Sequence, residues 1–150
     1  MNEVTQTSQR AQALAEKVAQ ALYANDKASQ SHGVRIAEVR PGYARLSMSV
    51  RGDMVNGHRI CHGGMVFTLA DSAFAFACNS YNESTVAAAA SIDFLAAAHE
   101  GDELTAEAKE LWRTKRNGIY EITVTNQEGA RIAFFRGRSY QIDGHVVSAD

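Results

Sequence analysis

Hydrophobic positions divide the chain into stretches of two different periods. Over residues 8–25, Ala11, Leu14, Ala15, Val18, Ala21 and Leu22 recur at helical spacing with Gln12, Glu16, Lys17 and Gln20 opposite. This predicts an amphipathic helix that lies on another element and ends near Asn25-Asp26. Residues 33–39 alternate weakly, Pro41-Gly42 marks a tight turn, and residues 43–50 set Ala44, Leu46, Met48 and Val50 on one side. Together they read as a β-hairpin. A polar loop over 51–62 then leads into a run from Gly63-Gly64 to Asn79 that is apolar apart from Thr68, Asp71 and Ser72. Such length and apolarity predict a buried helix.

After Asn79 the period becomes two. Residues 85–94 are rich in Ala, which locally favours helix, but Ser91-Ile92-Asp93-Phe94 alternates. A strand is predicted, with side chains small enough for a helix to pack close over it. Residues 103–112 set Leu104, Ala106 and Ala108 against Glu103, Thr105, Glu107 and Lys109; residues 118–125 set Tyr120, Ile122 and Val124 against Glu121, Thr123 and Thr125. Asn126-Gln127-Glu128-Gly129 is a hairpin turn. A last strand, 130–142, carries Ile132, Phe134, Arg136, Arg138 and Tyr140 on one face. The order is helix, two strands, buried helix, four strands: one α+β domain over residues 1–150, with an antiparallel sheet curling round the apolar helix.

Composition narrows the function classes. A net charge near −2 gives no general reason to expect nucleic acid or an anionic membrane as partner. Cys61 and Cys78 are too few for a disulfide framework, so reduced cytosolic thiols are expected. The N-terminus lacks the basic flank and apolar core of a signal peptide. The apolar helix reaches about 13 residues with an Asp inside it, too short for a membrane span. The expected location is the cytoplasm.

His58, Cys61 and His62 are potential metal ligands within five residues. Their spacing matches no closed structural site, and no acidic or Cys partner stands at a telling distance, so neither a metal nor a cofactor is expected. Cys61 and His62 are adjacent, and adjacent side chains rarely meet as nucleophile and base. The plainer role for either histidine is to cap or hydrogen-bond the turn. A Gly pair opening a helix, by contrast, frees backbone N–H groups at its positive end, suited to a developing negative charge. Asp71 lies two turns on, in a narrow polar stripe of Thr68, Asp71, Ser72 and Ala75. It is either paired there with solvent or a partner subunit, or it does chemistry; spacing does not choose. Gly63 and Asp71 are eight residues apart, about 12 Å along a helix. A reacting group must come to ~3–3.5 Å of its target, and the lean of the side chain recovers only part of the gap. If both act on one substrate, the second comes from another chain, which predicts a homodimer.

The run Asn56-Gly57-His58 … Cys61-His62-Gly63-Gly64 … Leu69-Ala70-Asp71-Ser72-Ala73-Phe74-Ala75 closely resembles the motif of hotdog-fold acyl-CoA thioesterases, and among them the PaaI type of phenylacetate degradation. Ser91-Ile92-Asp93-Phe94-Leu95, Gly118-Ile119-Tyr120 and Phe135-Arg136-Gly137 extend the likeness over about residues 33–143. The resemblance implies a hotdog fold, usually a homotetramer made of two dimers with shared sites, and aryl-acetyl-CoA thioesters such as phenylacetyl-CoA and its ring-hydroxylated forms as substrates.

Residue by residue, the resemblance makes Asp71 the catalytic acid and gives Gly63 the N–H that polarises the thioester carbonyl, with Gly64 beside it among the substrate-binding positions. Asn56 matches a polar residue that positions the carboxylate or the water, and His62 a supporting hydrogen-bonding residue. Arg113, Lys115, Arg116 and Arg138, with Arg136, are the basic residues on the late strands suited to CoA phosphates. Trp112 and Tyr120 are assigned to core or interface. Related 4-hydroxybenzoyl-CoA thioesterases often carry a hydroxyl residue one turn after the acid, where this chain has Ala75, which favours the PaaI type. Two other classes share the fold. Hydroxyacyl dehydratases resemble a different pattern, with a His-containing motif before Gly-Pro-type turns that is missing here. A non-catalytic acyl-CoA-binding module would have no use for an ionisable group where a thioester sits.

Overall fold

The computed structural model describes residues 2–148. Helix α1 spans Glu3–Asn25 and α2 Lys27–Ser31; strands β1 (Arg35–Arg40) and β2 (Tyr43–Ser49) form a hairpin; a single 3-10 turn (Gly52–Met54) precedes α3 (Gly63–Cys78). Strands β3 (Glu83–Phe94), β4 (Glu103–Arg113), β5 (Asn117–Thr125) and β6 (Arg131–His145) follow. The strands fall within three residues of the bounds read from the alternation. Helix α1 starts earlier than residue 8: its first turn has no apolar face and is held by Asn2, which accepts the Thr5 N–H at 2.9 Å. Helix α2 leaves no periodic signature in the sequence, because five residues are too few to show a period.

The six strands form one antiparallel sheet in the order β1-β2-β4-β5-β6-β3. Helix α3 lies in its curve, burying Val66, Leu69, Ala70, Ala73, Phe74, Phe76 and Ala77. Each large side chain removed from water there contributes roughly 1.5–3 kcal/mol. Phe74 packs on Tyr120 and Phe135, with ring centroids 5.5 and 6.0 Å away. It also lies over Gly137, where a Cβ would come within 2.7 Å of its ring. Tyr120 is thus a core residue, whereas Trp112 is 53% exposed.

The two sheet edges differ. Helix α1 covers β1, and Gln12 Nε2 donates to the Val39 carbonyl at 2.8 Å. Strand β3 pairs with β6 alone among the described residues, and Ala87, Ala88, Ala89 and Ala90 are exposed. The small side chains expected to lie beneath the helix stand instead on an open edge, a row of unpaired backbone groups that another strand could join. No helix among the described residues is long and apolar enough to cross a membrane.

Candidate active site

The loop before α3 is a tight hairpin closed by the Val55–Cys61 bridge. Asn56 organises it: its backbone N–H donates to the Ile60 carbonyl at 2.9 Å, and its Oδ1 accepts the His58 and Ile60 N–H groups at 2.9 and 3.3 Å. The Cys61 N–H donates to the Ala98 carbonyl (2.7 Å) and the His62 N–H to that of Met54 (2.8 Å). These bonds fix the direction in which the chain enters α3.

His62 is the N-cap of α3, with φ −59° and ψ 134°, and its Nδ1 accepts the Gly64 N–H at 2.9 Å. Its carbonyl takes the Met65 N–H at 2.9 Å. Gly63 is left over. Among the described residues its N–H has no acceptor, and the residue lines a cleft of about 410 Å³ with Asn56, Ile60, Cys61, Phe94, Leu95 and Ala96–Ala98. A Cβ on Gly63 would come within 3.0 Å of Phe94 Cζ. An unpaired N–H at the positive end of a 16-residue helix, on a residue that lines a largely apolar cleft, has the chemistry to stabilise an oxyanion.

Asp71 is half-buried and has no hydrogen bond or ion pair among the described residues. Burial, and then the negative charge of Asp26, push its carboxyl above the ordinary range. It does not border the Gly63 cleft. Ser72, next to it, is buried, and its Oγ lies 2.9 Å from Ser29 Oγ of α2.

The other motif side chains separate. The Cys61 thiol approaches the His62 carbonyl rather than the imidazole (3.7 Å); burial and Asp102 push it up, away from the thiolate a nucleophile needs. Among the described residues, no three His, Cys, Asp or Glu side chains converge as metal ligands would. Arg113, Lys115 and Arg116 border a notch reaching Cys78, at the far end of α3 from Gly63. The Arg113 guanidinium stacks on Tyr81 at 3.5 Å, Arg116 donates to the Gln141 carbonyl (3.3 Å), and Arg138 donates to Asn117 Oδ1 (3.1 Å). Lys115 is exposed and has no partner among the described residues. One chain therefore brings Asn56, His62, Gly63 and Gly64 together and keeps Asp71 and the basic hairpin apart from them. The sequence reading missed Phe94 as the wall over Gly63 and Asp26 as the neighbour of Asp71.

Residues 58–133 match the Thioesterase superfamily. The chain belongs to that family. It is 44% identical to the acyl-coenzyme A thioesterase PaaI of Escherichia coli, over 86% of this chain and 92% of that one. It is 38% identical to a putative esterase of Archaeoglobus fulgidus, over 87% and 84%. The structure of the E. coli PaaI protein from the phenylacetic acid degradation operon superposes with a TM-score of 0.87 at 43% identity, covering 88% of this chain and 96% of that chain. The TT0310 protein of Thermus thermophilus gives 0.76 at 30% identity, over 79% and 99%. The sheet curved round α3 is thus the hotdog fold, and this thioesterase is a thioester hydrolase of the PaaI-like acyl-CoA class.

Proposed function

We propose that this thioesterase hydrolyses aryl-acetyl-CoA thioesters, phenylacetyl-CoA and its ring-hydroxylated forms foremost, to the free acid and CoA in phenylacetate catabolism. It works in the cytoplasm as one hotdog domain, in a homodimer with shared sites that pairs into a homotetramer. The observation that carries this reading is the Gly63 N–H, left without an acceptor over an apolar cleft that Asp71 of the same chain does not border. The likeness to E. coli PaaI and the Phe94 and Leu95 lining of the cleft support the aryl-acetyl class.

The thioester oxygen accepts the Gly63 N–H, which strengthens as that oxygen gains negative charge in the tetrahedral intermediate. The open β3 edge brings a second copy alongside, and the partner's Asp71 supplies the carboxylate. As general base it takes a proton from water while the water oxygen bonds to the carbonyl carbon; the C–S bond then breaks and the proton passes to the departing thiolate. As nucleophile it forms a mixed anhydride that water cleaves. Either route needs the ionised carboxylate. The loop N–H groups occupy Asn56 Oδ1, so the Asn56 amide N–H is the group it offers to water or carboxylate. His62 acts as a positioning residue, by holding the Gly64 N–H and with it the first turn of α3. Arg113, Lys115, Arg116 and Arg138 meet the phosphates of CoA, and they meet them on the partner's substrate, since Arg113, Lys115 and Arg116 lie near Cys78, at the end of α3 opposite Gly63 in their own chain.

Thiol release from phenylacetyl-CoA, wild type beside Asp71→Ala, tests this. The expected result is a loss of about 10²–10⁴-fold in a variant that keeps its fold and oligomeric state. Full turnover in that variant would remove Asp71 from the chemistry. Equal kcat/KM for acetyl- and phenylacetyl-CoA would overturn the aryl preference, and tight binding without thiol release from any ester would make the protein a binding module.

A further inference from the structure

Between α2 and α3 the contact is polar where an apolar one would suffice. Asp26, the N-cap of α2, accepts the Ser29 N–H at Oδ1 (2.9 Å) and the Ser29 hydroxyl at Oδ2 (2.6 Å). With its single proton committed to Asp26, the Ser29 hydroxyl accepts from Ser72, 2.9 Å away. Ser29 is 1% exposed and Ser72 9%. The chain Ser72 → Ser29 → Asp26 is therefore shielded from water and ends on a charge. A serine inside a helix commonly bonds back to its own backbone; Ser72 instead reaches across to α2. It is also the residue that follows Asp71.

We propose that Asp26 is a positioning residue for Asp71: through Ser29 and Ser72 it sets how α3 presents the residue 71–72 segment, and it faces the Asp71 carboxylate as a like charge. This rests on Asp71 being the acid of the hydrolysis. After burial, Asp26 is the second cause that lifts the Asp71 carboxyl. The other titratable groups along α3 are few. Cys78 lies two turns further on, with a thiol pushed up to about 12 chiefly by burial and also by Asp71. His62 caps the helix start. Tyr23 of α1 turns its hydroxyl to the Val34 carbonyl, and Tyr81 and Tyr120 bond Glu110 at the far end. The curved face of the sheet presents apolar side chains to α3. Asp26 is the negative charge this fold sets against the catalytic carboxylate, and it keeps Asp71 readier to accept a proton.

The sign follows directly. Asp71 works ionised, so activity is lost as pH falls through its raised pKa, and removing the Asp26 charge moves that loss to lower pH. Asp26→Asn and Asp26→Ser both retain an N-cap for α2 and both lack the charge. In each, the acidic limb of kcat/KM against pH shifts down, and the ratio of variant to wild-type activity rises as the solution is made more acid. Ser72→Ala keeps both charges and breaks the relay, so kcat falls while the limb stays in place. A wild-type limb in both Asp26 variants, with Asp71→Ala inactive, would overturn this inference and leave the thioesterase site intact. An active Asp71→Ala would sink the site assignment and this inference with it.

Discussion

At the C-terminal end of α3 the polar side chains turn back on the chain, whereas at the N-terminal end the Gly63 N–H finds no acceptor. Asn79 donates to the Ala75 and Thr85 carbonyls and accepts the Thr85 N–H, all at 2.9 Å. Ser80 donates to the Ala77 carbonyl (2.7 Å) and accepts the Gly42 N–H (2.8 Å). The Tyr81 and Tyr120 hydroxyls both donate to Glu110 Oε2, at 2.8 and 2.9 Å. Burial first, and then the Glu110 carboxylate, push Tyr81 up to about 12 and Tyr120 higher, so both stay protonated donors. Among the described residues no buried side-chain N or O atom lacks a partner. Against that background the unpaired Gly63 N–H and the unpaired Asp71 carboxylate are exceptions.

Gly63→Pro breaks the comparison most severely. It removes the N–H at the first helical position, where proline is best tolerated. His62 already has the extended backbone (φ −59°, ψ 134°) that a following proline requires, and a Cβ at residue 63 meets the half-exposed Phe94 ring at 3.0 Å. Hydrolysis falls by about 10²–10³-fold in a protein whose circular dichroism is unchanged. Glu110→Ala tests the other end. It strands two tyrosine hydroxyls, one of them buried, and costs about 1–3 kcal/mol in urea unfolding, while kcat falls far less than in Gly63→Pro and any loss shows in KM, because Glu110 also pairs with Arg113. His62→Ala acts on both: losing the cap costs about 1 kcal/mol and loosens the Gly63 turn, so activity drops, and His62→Asn restores stability. Asp71→Asn has the smallest effect on stability. The folded state disfavours the ionised carboxylate, so the neutral variant melts higher at neutral pH. That advantage shrinks as pH falls through the raised pKa, where wild-type Asp71 takes up its proton.

The architecture was readable because α3 and the late strands carry unmixed periods and Pro41-Gly42 closes the first hairpin. What stayed hidden depends on neighbours far apart in sequence. The exposure of the alanines in β3 follows from its edge position, which no local pattern encodes. In the site, Gly63 and Asp71 stood out as residue types out of place in an apolar run. Capping is the plainer role for either histidine, and His62 takes it by accepting the Gly64 N–H. Asp26 is of a common N-cap type, yet its bond to Ser29 leads on to Ser72, 43 residues further along the chain from Ser29. Arg113 and Arg116 look like free surface cations until Tyr81 and Gln141 are folded against them.

The central claim is that Gly63 and Asp71 meet across two chains, and complementation tests it most directly. Gly63→Pro and Asp71→Ala chains, each inactive alone, are co-expressed with different tags, and their thiol release from phenylacetyl-CoA is measured. In each mixed dimer one site joins an intact Gly63 to an intact Asp71, so random pairing restores about a quarter of wild-type activity. Mixed dimers no more active than either parent would place both groups in one chain and contradict the account.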